Sequence, residues 1–446
     1  MARTPIDWHH PRQQLAAGFL RMFLDVGAHA MVLFAPRGKG KTQFMMKDMI
    51  PAAAKADLFP VYVNFWDDNE SPSASFIYGL VRAASEPPSG ISAAIAEGLS
   101  RFHLDLEFEL GPVKVSGGLA PQPQEAFVQV TDSSADAGHT APGGDSTLLH
   151  MRKVVDALHK HTGRELLFIF DEVQTLALKP EHATFVRSLR TLLDERRGFV
   201  KSIFTGSSQA RLTELFSSIK APLYNFAQSV EFPELGDDFL QRWMRNVALI
   251  MGLVAQKATI EQGAAAAEKH GLRLEHMREA FAVTGRNPRV FWAAMLTMIQ
   301  RNSVDILGAA REAAASVEEN AGLRQRLAEL PVLDRLVLTR IVIDQAARAA
   351  NPSQPLPPLQ LFSEAERHQW KGDLGMVPTP TQVQAALRRL SGSDLQLIVR
   401  RDRGQYGLED PFFLGQLQAE LLGVQEPVQE EAQEQEQPRE LERLRG

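Results

Sequence analysis

Residues 30–42 read Ala-Met-Val-Leu-Phe-Ala-Pro-Arg-Gly-Lys-Gly-Lys-Thr, and Gln43 to Met49 continues in a helical pattern. A short apolar run, a glycine-rich turn and a helix start form the context in which successive backbone N–H groups can converge on an anion. Gly38 and Gly40 let the chain bend, and the helix start adds the positive end of its dipole. In this arrangement Lys41 can reach the outer phosphates of a triphosphate, and the Thr42 hydroxyl is placed to ligate Mg²⁺. The octet Ala35, Pro36, Arg37, Gly38, Lys39, Gly40, Lys41, Thr42 fits the phosphate-loop pattern, with Ala35 standing for its first glycine. Gln43 completes the expected set of nucleotide contacts.

Working outward, residues from about Pro11 to Leu235 alternate β-rich apolar runs with helical patterns, which predicts an α/β fold with a parallel sheet. The runs are Ala30–Phe34, Pro60–Phe65, Leu166–Phe170, Val200–Phe204 and Gln228–Phe232. Most are apolar on both faces, as strands covered by helices on two sides must be. The third run ends in Asp171-Glu172. Two carboxylates at the tip of a buried strand are costly unless they serve something there, and ligands of such sheets bind at the carboxyl ends of the strands. The pair is therefore expected to face the phosphate loop, Asp171 holding Mg²⁺ through water and Glu172 orienting the attacking water. The fourth run leads into Ser207-Ser208. A Ser207 hydroxyl can bond a terminal phosphate or the lytic water, or a serine can cap the helix from Gln209. Residues 103–117 alternate with period two around Gly111-Pro112 and predict an exposed inserted hairpin. Residues 131–145 have the composition of a flexible loop.

Composition excludes several classes. The chain has 446 residues, 44% hydrophobic and 23% charged, so it is an ordinary globular chain of two or three domains. No window offers about 18 uncharged apolar residues, so no membrane span is expected. The polar N-terminus lacks a secretion signal. With no cysteine there are no disulfides, thiolate metal sites or cysteine nucleophiles. A cytoplasmic protein is the expectation. The net charge of −6 is concentrated in the last 22 residues, which hold seven Glu and three Arg. The body is thus nearly neutral, and nucleic-acid binding would need a local patch. The histidines, including His150, His159 and His161, show no metal-binding spacing.

Four regions follow: 1–235 the α/β core, 236–329 a helical lid and linker, 330–424 helices closing on a two-stranded wing, and 425–446 a Gln/Glu-rich disordered tail. Helices followed by a hairpin turning at Asp402 to Gly404 suggest a winged helix. Residues 371–404 carry six basic and three acidic side chains. Arg388 and Arg389 fall late on the expected recognition helix and Arg400, Arg401 and Arg403 on the wing, where arginines could contact duplex phosphates. Over 331–424, however, ten basic and ten acidic residues balance.

Together these residues resemble the P-loop ATPases of the additional-strand, catalytic-glutamate class. More narrowly the chain is similar to the archaeal-type ATPases, which sit beside the signal-transduction ATPases with numerous domains and the origin-recognition AAA+ proteins. Phe204–Leu212, Ala221–Tyr224 and Glu231–Asp238 follow that family's order, Thr284–Pro288 is similar to its Gly-x-Pro lid element, and Tyr406–Phe413 to the end of its winged helix. The resemblance implies ATP binding with Mg²⁺ and slow hydrolysis, stimulated by assembly, that switches lid and winged helix. Double-stranded DNA, a partner protein or a further copy of the chain are the candidate partners, and no membrane is expected. One departure is Asn225-Phe226, where the family often has a basic residue. Candidates for an arginine finger are Arg187, Arg190, Arg196, Arg197 and Arg211 from the core, and Arg286 or Arg289 from the lid. Arg289, just past Pro288, is the favoured approach to the γ-phosphate.

Overall fold

The structure is a computed structural model, and it describes residues 6–68, 70–87, 95–102, 144–217, 219–320, 322–350, 356–392, 395–402, 405–410 and 413–422. The hairpin expected at 103–117, the loop at 131–145 as far as residue 143, Arg403 and the tail at 425–446 lie outside them. Contacts divide the chain into two units, Met1–Ala321 with Glu409–Phe412, and Gly322–Leu408 with Phe413–Gly446.

The first unit is built on five parallel strands: β1 (Ala30–Phe34), β2 (Phe59–Asn64), β3 (Leu166–Asp171), β4 (Val200–Gly206) and β5 (Gln228–Glu231). Their order is β2-β3-β4-β1-β5. The period of two sends Phe168, Phe170 and Phe204 into the core on one face and Leu167, Ile169 and Ile203 into the core on the other. Phe168, Phe170 and Phe204 stack in sequence with ring centroids 5.4 and 5.1 Å apart. Each such ring is fully buried, and truncating one to alanine removes on the order of 3–5 kcal/mol.

Helix α1 (Gln13–Leu24) precedes β1, and α2 follows the glycine-rich turn as Lys41–Phe44, a π-helical turn Met45–Met49 and Ile50–Lys55. The buried side of α2, with Phe44, Met45 and Met49, packs in the same cluster as Phe19 and Phe23 of α1. Helices α3 (Pro72–Ser85), α4 (Gly144–Thr162) and α5 (His182–Glu195) contribute to the cluster on the other face of the sheet, and α6 (Gln209–Phe216) follows β4. Because β4 separates β3 from β1, the turns after β1, β3 and β4 stand side by side at one end of the sheet.

After β5 the chain turns wholly helical: α7 (Asp237–Ile250), α8 (Ile260–Lys269), α9 (Leu274–Val283), α10 (Pro288–Gln300) and α11 (Ile306–Asn320). Their core centres on Phe239, Trp243, Phe281 and Phe291. The N-terminal segment reaches this bundle, where Trp8 meets Trp243 and Trp292 edge to face at 5.3 and 4.6 Å. His9 lies 3.0 Å from Asp48 of the π turn, off the line a hydrogen bond requires.

The second unit holds α12 (Leu323–Ala328), α13 (Val332–Ala350), α14 (Glu364–Gln369), α15 (Lys371–Leu374), α16 (Pro380–Ser391), the antiparallel pair β6 (Ile398–Asp402) and β7 (Gln405–Leu408), and α17 (Leu414–Leu422). Thr379 and Gln382 form a reciprocal capping box at the start of α16, with Pro380 in its first turn. Val337, Ile341, Trp370, Val383, Leu387 and Ile398 form the core.

Candidate phosphate-binding site

The loop between β1 and α2 turns through left-handed glycines, Gly38 at φ 79° and Gly40 at φ 89°. Gly40 is the residue from which α2 starts, a conformation a side chain would strain. Ala35 is buried behind the loop, while Thr42 and Gln43 are exposed on the first turn of α2. Arg37 is exposed as well, its guanidinium 4.5 Å from the ring centroid of Trp66.

Lys41 is only 5% exposed. Its ammonium donates to the carbonyls of Ala35 and Pro36, the latter at 3.1 Å. Burial pushes its pKa down to about 8, against the opposing pull of the Glu172 and Asp171 charges. A buried cation satisfied by neutral carbonyls keeps its charge uncancelled, which suits it to an anion.

Asp171, 1% exposed, ends β3 facing that cation's side of the sheet. Its Oδ2 accepts from Thr42 Oγ1 at 2.8 Å and from Tyr62 Oη at 2.7 Å. Its Oδ1 accepts from the Glu172 backbone N–H at 3.0 Å and from Thr205 Oγ1. A carboxylate has about four acceptor positions, so this one is filled by neutral donors. Burial, with Asp171 beside it, drives the Tyr62 hydroxyl far above its usual pKa and keeps it a donor. The Thr42 proton is spent on Asp171, which leaves that hydroxyl's lone pairs as acceptors.

Glu172 takes the left-handed conformation at φ 56° and starts the 3₁₀ turn Val173–Ala177. Strain at a non-glycine residue is typical of functional turns. Its Oε2 accepts from Ser207 Oγ at 3.1 Å and from the Gln174 amide. Gln174 also donates to Ser207 Oγ at 3.0 Å and accepts from the Ser207 N–H at 3.2 Å. Ser207 thus belongs to the Glu172 cluster, while Ser208 caps α6. Of the two alternatives for this serine pair, the helix cap falls to Ser208.

Pro288 occupies the first turn of α10 and Arg289 is exposed beside it, its N–H donating to Asn287 Oδ1 at 3.0 Å. Of the other arginines considered as a finger, Arg190 holds the carbonyls of Pro222 and Tyr224 and stands over the Phe226 ring. Arg196 and Arg197 pair with neighbouring acids, Arg286 with Glu234, and Arg187 donates to Thr184.

In the second unit Arg388 is exposed on α16, whereas Arg389 makes a two-pronged pair with Asp334 at 2.8 and 2.6 Å. Arg400 is exposed on β6 opposite Tyr406, and Arg401 follows it on the same strand. Among the described residues no group of three or more His, Asp or Glu could hold a metal. No described helix is long and apolar enough to cross a membrane.

Tyr62, Thr205 and Gln174 were not singled out from sequence. Tyrosine and threonine in buried strands read as ordinary β formers. The only available signal was register, since β2 pairs Asn64 with Asp171 and thereby brings Tyr62 close.

β4 is inserted between the loop-bearing strand and the acid-tipped strand, which is the strand order of an additional-strand phosphate-loop core. No protein-family model matches the chain. No curated protein matches it. Among solved structures the chain is similar to the Orc1 protein of Aeropyrum pernix in complex with DNA, at 15% identity over 93% of this chain and 94% of that one, with a TM-score of 0.33. It is similar to AMPPCP-bound DnaA from Aquifex aeolicus at 13% identity, over 85% and 87% of the two chains, with a TM-score of 0.29. The C. elegans PCH-2 structure aligns at 14% identity over 67% of this chain and 65% of that one, with a TM-score of 0.32.

Proposed function

We propose that the first unit binds ATP with Mg²⁺ in the loop 35–42 and hydrolyses it, acting as a nucleotide-dependent switch. The observation that carries this reading is the hydrogen bond from Thr42 Oγ1 to Asp171 Oδ2 at 2.8 Å, which joins the two motifs beside buried Lys41. The donor set fits Mg²⁺, a hard cation that takes oxygen ligands and keeps several waters. Thr42 would hold it directly, and Asp171 through water once one of its four present donors gives way. When bound, the metal neutralises charge on the outer phosphates. Loop N–H groups and Lys41 bind the phosphates, and Glu172 orients the attacking water. Ser207, whose proton goes to Glu172 Oε2, steadies that carboxylate. The expected consequence is that Glu172→Gln binds ATP normally but hydrolyses it at least roughly a hundredfold more slowly. Turnover equal to the parent's, measured as phosphate release, would remove Glu172 from this role.

The second unit is proposed to be a winged helix that carries the output of the switch to a DNA-associated assembly. The exposed side chains of Arg388 and Arg400 support a phosphate contact. Arg389 does not, because its guanidinium is held by Asp334. Duplex binding that weakens with salt and is lost in Arg388→Ala/Arg400→Ala supports this output. ATP-dependent self-association without duplex affinity, read by size-exclusion chromatography, would replace it with a signalling switch acting through protein contacts.

A further inference from the structure

The loop carries two lysines, and they are engaged differently. Lys41 feels the charges of Glu172 and Asp171. Lys39 instead sends its ammonium to the carbonyls of Gly285 and Arg286, at 2.8 and 2.9 Å, in the turn between α9 and α10. Its side chain is 16% exposed, and burial lowers its pKa although Glu234, 3.9 Å away, opposes this.

That turn is shaped for the contact. Gly285 and Arg286 are consecutive left-handed residues, at φ 62° and 49°, so the end of α9 presents carbonyls outward. Helix ends of this polarity favour a cation. One residue on, Asn287 caps α10 with its Oδ1 and donates from Nδ2 to the Arg37 carbonyl at 3.2 Å. A Cβ at Gly38 would stand 2.3 Å from Asn287 Oδ1, so the glycine admits the helical block as well as the bend.

We propose that Lys39 is a positioning residue rather than a phosphate ligand: with Asn287 it fastens the helical block onto the phosphate loop, and this clasp limits how fast nucleotide leaves. This deepens the reading of the loop as a nucleotide site and rests on it for the second half of the claim. Removing the ammonium leaves the two carbonyls to water and frees the turn to open, while the phosphate cradle and Lys41 stay intact.

The test compares the parent with Lys39→Met and with Asn287→Ser, which keeps a helix cap but cannot reach the Arg37 carbonyl. In nucleotide-free protein, hydrogen exchange of amides 284–289 should quicken roughly tenfold in either variant. With a fluorescent ADP analogue, stopped-flow release should quicken by a similar factor, with less change in association. Unchanged exchange overturns the clasp whether or not nucleotide binds. Quickened exchange with unchanged release overturns the claim that the clasp limits release. Loss of binding in Lys39→Met as complete as in Lys41→Ala overturns the positioning role and makes Lys39 a ligand. If the parent binds no analogue, the reading of the loop as a nucleotide site fails, and exchange alone still decides whether the clasp exists.

Discussion

The two units handle buried charge in opposite ways. In the second, each buried acid among the described residues has its own guanidinium: Asp334, fully buried, is held by Arg389, and Glu366 by Arg340. In the first, Lys41 and Asp171 are just as buried, yet neutral groups satisfy them, carbonyls for the lysine and three hydroxyls and an amide for the aspartate. An ion pair cancels its own field. A charge solvated by neutral dipoles keeps that field for a ligand, at a cost in desolvation that structure alone does not repay. On the proposed reading of the loop as a nucleotide site, the contrast separates residues kept for packing from residues kept for chemistry.

The largest expected effect tests the chemical side of the contrast. Lys41→Ala should weaken ATP binding at least roughly a hundredfold in calorimetry, because a charge-assisted contact to the outer phosphates is lost. A variant that bound like the parent would show that the buried cation serves only the loop. The structural side predicts a different outcome. Asp334→Ala should destabilise the chain by about 3 kcal/mol in urea denaturation, at the lower end for a broken buried pair because half-exposed Arg389 can turn to water. A cost near zero would mean the pair is no firmer than a surface contact.

How far this contrast could be read from sequence depends on distance along the chain. The five strands were legible because runs such as Leu166-Leu-Phe-Ile-Phe170 are apolar on both faces, which only a doubly covered sheet tolerates. The loop was legible because its glycines, Lys41 and Thr42 are consecutive. Asp171 and Glu172 were legible as a pair, but the partners that fill Asp171 were not. Tyr62 lies 109 residues before it and Thr205 lies 34 after it. Lys39 reads as one more basic loop residue until its acceptors, 246 and 247 residues later, are placed beside it. Arg389 looked like a nucleic-acid contact for the same reason, since Asp334 is 55 residues upstream. The π turn in α2 has no sequence signal of its own, because Met45 to Met49 fit an ordinary helix equally well.

A smaller effect tests whether neutral donors are what hold Asp171. Thr205→Val keeps the shape of the side chain and removes one donor from a buried carboxylate. The expected cost is about 2 kcal/mol, the worth of a hydrogen bond to a charged group. It should appear as a lower urea midpoint with an unchanged slope. Tyr62→Phe removes a donor from the other oxygen and should cost a similar amount. If both were neutral, Asp171 would not be the charged acceptor that the contrast requires.

The mildest perturbation is pH, and it acts on binding and folding with opposite signs. Burial places the pKa of free Lys41 at about 8, below the ordinary value near 10.4 that it regains on unfolding. Bound phosphate favours the ammonium and raises the pKa again. Below pH 8 the free and bound forms both carry the proton, so affinity is at its maximum and flat. Above pH 8 the free form has lost it and binding must recover it, so the association constant falls by about tenfold per pH unit until the bound form also titrates. Calorimetry at pH 9 in buffers of different ionisation enthalpy should therefore show net proton uptake on binding. Lys41→Arg, charged throughout, should show neither the fall nor the uptake. Folding of the nucleotide-free protein responds in the other direction. Between pH 8 and the unfolded pKa the unfolded chain holds a proton at this site that the folded chain does not, so Lys41's contribution to stability rises with pH. A parent protein whose affinity stayed level from pH 7 to 10 would place this cation with the paired charges of the second unit, cancelled before any ligand arrives.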